Sequence, residues 1–245
     1  MGLTRPYVSA LAHSLPLVIA ASFVAVAIPE VSEKAAPDDL GPHDLAAWTF
    51  NRSTAQAYAR QWTQNTGETH GYRNSAYYNF DPNDCTNFLS QVWHQAGIPE
   101  QFGGLGPPDL DWYGTKSTGN SSPNWRLVNN FKHFWVEEFY AAVTYVETPS
   151  ADYNSASPGD GIMWDWNDDN NPNTHNYTHF VIEDSYGTNI TYTDPPSGHV
   201  DYFSGDVVQQ HDKDRYKAPW NYGYRNGNLI TRGGMHAVTV QYVGR

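Results

Sequence analysis

Apolar side chains recur at Phe88, Leu89, Val92, Trp93 and Ala96, at spacings of three and four that line one face of a helix. The turn formers Asp81, Pro82, Asn83 and Asp84 precede this stretch, and Gly97 followed by Pro99 closes it. The pattern predicts a helix that begins at Cys85 and stops at Gly97. A second helical stretch, NRSTAQAYARQW, opens at Asn51, and His133 falls on a further helix face in NWRLVNNFKHFW. Later the pattern changes: GDGIMWDW, THFVIED, NITYTD and HAVTVQYV are short runs rich in β-branched and aromatic residues. They read as strands separated by Asn/Asp- or Pro/Gly-rich turns.

The N-terminal end has its own pattern. Residues 1–27 hold one charge, Arg5, then an apolar run from Leu15 interrupted only by Ser22, and the small-x-small triplet Ala25-Val26-Ala27. This reads as a secretory signal that is cleaved, so a secreted protein is expected, with a retained N-terminal anchor as the alternative. The run is short for a span of about 20 residues, so no stable membrane span is expected. Residues 28–44 form a Pro-, Ala- and acid-rich stretch without periodicity, which predicts a flexible leader. Residues 45–245 are then one folded domain, consistent with 39% hydrophobic and 15% aromatic residues in 245. The formal charge is -12, and -13 once Arg5 is removed with the signal. A chain this acidic is a poor nucleic-acid binder.

Cys85 is the only cysteine. It can form neither an internal disulfide nor a zinc site of several thiolates, which leaves a buried packing thiol, an intermolecular bridge or a reactive nucleophile. Its place in a first helical turn favours the nucleophile, because free N–H groups and the helix dipole stabilise a thiolate and can hold an oxyanion. Asp84 reads as the N-cap, with a catalytic role as the alternative. A nucleophilic thiol needs a base, and of ten histidines position leaves His175, His179, His199 and His211. His179 is the best placed, on a strand that can present imidazole to a helix-borne thiol, although a structural histidine fits the spacing equally well. Asp194 and Asp201, on the following runs, are the candidate orienters, and both also suit solvated turns.

The blocks Asn83-Asp84-Cys85-Thr86-Asn87-Phe88-Leu89-Ser90-Gln91, Gly159-Asp160-Gly161-Ile162 with Trp164-Asp165-Trp166, and Thr178-His179-Phe180-Val181-Ile182 resemble the bacterial putative amidase domain family, the sixth class of amidase domains. NRSTAQAYARQW and SSPNWRLVNNF are similar to two further elements of that family, so the resemblance covers roughly residues 50–195. It implies an α+β, papain-like fold of the NlpC type, with N-terminal helices and a Cys-bearing helix packed on an antiparallel sheet that carries the His. It further implies Cys85 as nucleophile and His179 as base. The third position departs from the family, which commonly carries a His-Ser or His-Thr pair where this chain reads Tyr192-Thr193-Asp194. Asp194 is the candidate for that role.

For the oxyanion or substrate, the candidates are the Cys85 N–H, Asn79 or Tyr78 upstream, Asp84, and Trp164 with Trp112 and Tyr113 as groove walls. A monomeric cysteine amidase or peptidase follows, acting on an extracellular amide or peptide, with peptidoglycan as the favoured class and no cofactor. A binding or adhesion module on the same scaffold is the alternative, and acyl transfer to or from lipid a third. Asp165, Asn167 and Asp169 alternate as in a calcium loop, but Asn170 and Asn176 stand where Gly and Glu are needed. His175 and His179 have a zinc-like spacing that nothing nearby completes, so no metal is expected.

Overall fold

The computed structural model describes residues 48–67, 72–102, 110–117, 120–138, 142–146, 156–165, 177–222 and 236–241. The expected signal and leader, and the calcium-like loop after Asp165, lie outside them. Helices come first: α1 (Arg52–Gln61), α2 (Cys85–Gln95), the short α3 (Pro123–Arg126) and α4 (Val128–Lys132), which continues as a π-helical turn (His133–Glu138). Strands follow: β1 (Ala142–Val146), β2 (Gly161–Asp165), β3 (His179–Thr193), β4 (Val200–Gln210), β5 (Arg215–Pro219) and β6 (His236–Gln241). They form one six-stranded sheet in the order β1-β6-β2-β3-β4-β5, antiparallel throughout. The fold is α+β, and no described helix is long and apolar enough to cross a membrane.

The helix predicted at Cys85 forms, but it is wrapped on all sides. Every residue from Cys85 to Trp93 is buried, including Thr86, Asn87, Ser90 and Gln91. These polar side chains are tolerated because they find partners. The Asn87 amide donates to Tyr78 O (3.0 Å) and Asp84 Oδ1 (2.7 Å), Ser90 Oγ donates to Trp125 O (2.9 Å), and Gln91 accepts from the Tyr58 hydroxyl (2.8 Å). Gly97, at φ 113°, lets the chain leave the helix in a left-handed turn. At Gly161 a Cβ would fall 2.5 Å from Leu89 Cδ2, so glycine is what allows α2 to lie against β2.

Strand alternation sorts the sheet into two cores. Met163, Phe180 and Ile182 join the helices on one face, while Ile162, Trp164 and Val181 join Phe203, Val208 and Trp220 in a second cluster. β3 touches β5 although β4 lies between them, so this end of the sheet curls around the second cluster. THFVIED and NITYTD, expected as separate strands, are one strand interrupted only by register shifts at Glu183/Ser185 and Gly187/Ile190. That difference decides which acid reaches the histidine.

Candidate active site

Cys85, first residue of α2 and 6% exposed, lines a pocket of about 520 Å³. The pocket is walled by the loop before α2 (Phe80, Asn83), the α3–α4 junction (Arg126, Leu127), the approach to β3 (Tyr177, Thr178) and Asp212. His179 begins β3 opposite Trp164 of β2, its ring tilted 5.4 Å from that indole. On the other side of β3, Ile182 pairs with Gln209 of the returning β4. Extending this register to the strand end sets the turn at 211–214, and Asp212 within it, level with His179.

Asp212 Oδ2 lies 3.1 Å from His179 Nδ1. Its Oδ1 accepts the backbone N–H groups of Asp84 (2.6 Å) and Cys85 (3.1 Å). Ligand-type atoms of Cys85, His179 and Asp212 all fall within 4.8 Å of one another. Asp212 is held at φ 83°, in the left-handed region where few residues other than Gly, Asn and Asp rest.

Burial disfavours the His179 imidazolium, but the Cys85 sulfur and the Asp212 carboxylate outweigh it and hold the pKa up at about 10. Burial likewise opposes the charge on Asp212, yet His179, the Asp84 N–H and nearby His211 keep it below the usual carboxylate range. Cys, His and Asp are also a donor set for a cation such as zinc. The hydrogen bonds favour proton chemistry, since both Asp212 oxygens are occupied by N–H donors and His179 Nδ1 faces one of them.

The model of one family, described as a putative amidase domain, matches residues 49–232. The chain belongs to the putative amidase domain family. Cys85, His179 and Asp212 all lie within the part of the chain matched to that domain. An uncharacterized protein of Bacillus subtilis (strain 168), YhbB, is 30% identical over 144 residues, which are 58% of this chain and 40% of that protein. The chain therefore aligns with less than half the length of this relative. No solved structure matches it.

Within this putative amidase domain, Asp84 occupies the expected N-cap position of α2, but its side chain makes no capping hydrogen bond there. It is fully buried, accepts from Phe80 N (3.1 Å), and lies 2.8 Å from His211 Nδ1 and 3.2 Å from Arg73 Nε. His211 Nε2 meets the Trp62 carbonyl at 2.7 Å. Both ring nitrogens of His211 thus face oxygen atoms, and its ring stacks 3.5 Å from Phe88. Arg73 also holds Asp81 (2.8 Å) and Asp214 (2.9 Å). This network clamps the 211–214 turn at both ends and so fixes Asp212 between them.

The structure joins Cys85 with His179 and departs from the other expectations. Asp194 follows the last residue of β3 whereas His179 is its first, and its carboxylate accepts from Ser197 Oγ (2.6 Å) and Arg215 Nε (3.2 Å). Asp201 pairs opposite Tyr192 within β4. Asn79 is exposed, its amide oxygen occupied by the Asp81 N–H (2.9 Å) in a local turn, and the carbonyl of Tyr78 serves Asn87. Trp164 and Trp112 are core residues: the first packs on His179, and the second donates to Ser90 Oγ (3.1 Å). Tyr113 stacks on Phe102 with centroids 5.1 Å apart. The Cys85 N–H, expected to face substrate, donates to Asp212.

Proposed function

We propose that this chain is a cysteine-dependent amide hydrolase of the papain-like, NlpC-related type. On this proposal residues 1–27 are the export signal, 28–44 a leader and 45–245 the catalytic domain. The substrate is an extracellular amide, with peptidoglycan peptides as the favoured class. The observation that supports the chemistry is the meeting of Cys85, His179 and Asp212 within 4.8 Å at a pocket able to take a peptide-sized group.

Protonated His179 beside Cys85 favours the thiolate, which attacks the amide carbonyl carbon. As the C–N bond breaks, His179 passes its proton to the leaving amine, and a thioester remains on Cys85. His179 then takes a proton from water, the hydroxide adds to the thioester carbonyl, and C–S cleavage releases the acid and restores the thiolate–imidazolium pair. Asp212 keeps the imidazole oriented and its charge balanced. With the Cys85 N–H engaged by Asp212, the amide of Asn83 in the pocket is the candidate oxyanion donor. The same engagement is what favours the second reading, a binding module with weak chemistry.

Alkylation by iodoacetamide between pH 4 and 9 separates the two. A catalytic pair keeps Cys85 reactive below pH 7, where a free cysteine with a pKa of about 8.5 is protonated, and loses this in His179→Ala. Slow alkylation with the same profile in both proteins supports the binding module and removes the hydrolase.

A further inference from the structure

Four of the described arginines are committed to carboxylates: Arg52 to Asp160 (2.7 Å), Arg60 to Asp184 (2.7 Å), Arg73 to Asp81 (2.8 Å) and Arg215 to Asp194 (3.2 Å). Arg126 is the exception among the described residues. Its guanidinium lies over the Phe80 ring, 5.9 Å from the centroid, and its Nε is buried without a hydrogen-bond acceptor. A buried N–H donor left unmet is unfavourable. In a chain with 26 acidic residues, an arginine with no acid is a site waiting for one.

Its surroundings are built. The preceding residue, Trp125, is tied to α2 twice, by its indole to Asn87 Oδ1 (2.7 Å) and by its carbonyl to Ser90 Oγ (2.9 Å). Extended Leu127 (φ -118°, ψ 130°) then breaks α3 from α4. Arg126 is thereby fixed by the helix that carries Cys85, and both line the same pocket. The polar remainder of that wall includes the neutral side chains Asn83, Asn130 and Thr178, and its acid, Asp212, already faces His179 and two backbone N–H groups.

A planar guanidinium with free donors matches a carboxylate. We propose that Arg126 forms a carboxylate-binding subsite, so that the amide cleaved at Cys85 bears a carboxylate beside the scissile bond. The substrate class rests on the hydrolase reading, whereas the subsite itself does not.

Two isosteric reagents test it: iodoacetate, which carries a carboxylate, and iodoacetamide, which does not. Their rate ratio at Cys85 is compared with the ratio for a cysteine-containing peptide. The fraction of thiolate affects both reagents equally and cancels. The ratio is expected to exceed the peptide's by about tenfold, the contribution of one charge-assisted hydrogen bond. It should fall to the peptide's value in Arg126→Gln and lie between in Arg126→Lys. A wild-type ratio equal to the peptide's, or one that Arg126→Gln leaves in place, overturns the subsite while the hydrolase stands. If Cys85 resists both reagents the hydrolase falls, and the Cys85→Ser protein decides the subsite alone. Glutarate should then bind about tenfold tighter than glutaramide, and Arg126→Gln should abolish the preference; equal binding of the two overturns it.

Discussion

Asp212 shows what a single residue contributes here. Its carboxylate joins the N-terminus of α2 to His179, and its backbone sits at φ 83°. Asparagine tolerates that conformation and has nearly the same shape, so Asp212→Asn removes the charge without changing the turn. The proton affinity of His179 should drop from its pKa of about 10 toward the ordinary value, and kcat/KM for the proposed amide hydrolysis should fall by roughly 10²–10⁴. A variant that keeps wild-type rates and an unshifted alkylation profile would show that Asp212 has only a structural role. Cys85 and His179 were legible because each is marked locally, one by a helix start and the other by a strand. Asp212 was not, because its place depends on the pairing register of β3 with β4. A separate NITYTD strand would bring Asp194 near His179, whereas the continuous β3 places the two at opposite ends. Asp84 does stand at the N-cap of α2, but the partner of its carboxylate is beyond a local reading, because His211 lies 127 residues away.

At the scale of elements, α2 and the 211–214 turn are locked by charge as well as by packing. Arg73, 9% exposed in its side chain, meets Asp81, Asp84 and Asp214. Removing one side of such a buried network leaves the other uncompensated. Arg73→Met should therefore lower unfolding stability by about 3–5 kcal/mol, read from the urea midpoint. A midpoint within experimental error of wild type would mean that the three carboxylates are solvated or neutral. The apolar stripe of α2 predicted the helix and its boundaries correctly, but not its wrapping. Nothing in the spacing of Thr86, Asn87, Ser90 and Gln91 shows that loops and helices distant in sequence supply their hydrogen bonds.

Over the whole molecule, pH acts on stability from both directions. Asp212, and Asp184 beside Arg60, sit below the ordinary carboxylate range despite burial, so the stability they contribute is lost as pH falls through their folded values. His179 contributes fully below its ordinary 6.5 and loses this as pH rises toward about 10. Glu183, like Asp214, behaves in the opposite sense to Asp212 and Asp184. Burial first, then Asp206, Asp184 and Asp160, push its pKa well above the ordinary value, so the folded state binds the extra proton. Its unfavourable contribution is absent at acid pH and grows as pH rises above 4.5. Glu183→Gln should consequently raise the unfolding temperature at pH 8 and have little effect at pH 4. Calorimetry across that range checks this, and a difference independent of pH would refute it.

The contact between Trp164 and His179 (5.4 Å) has an optical consequence. Indole emission is quenched by a neighbouring imidazolium more strongly than by neutral imidazole. Trp164 is one of nine tryptophans, but its share of the spectrum is the difference between wild type and Trp164→Phe. That difference signal is a built-in gauge of whether the histidine beside the thiol carries its proton, readable without substrate, label or catalysis.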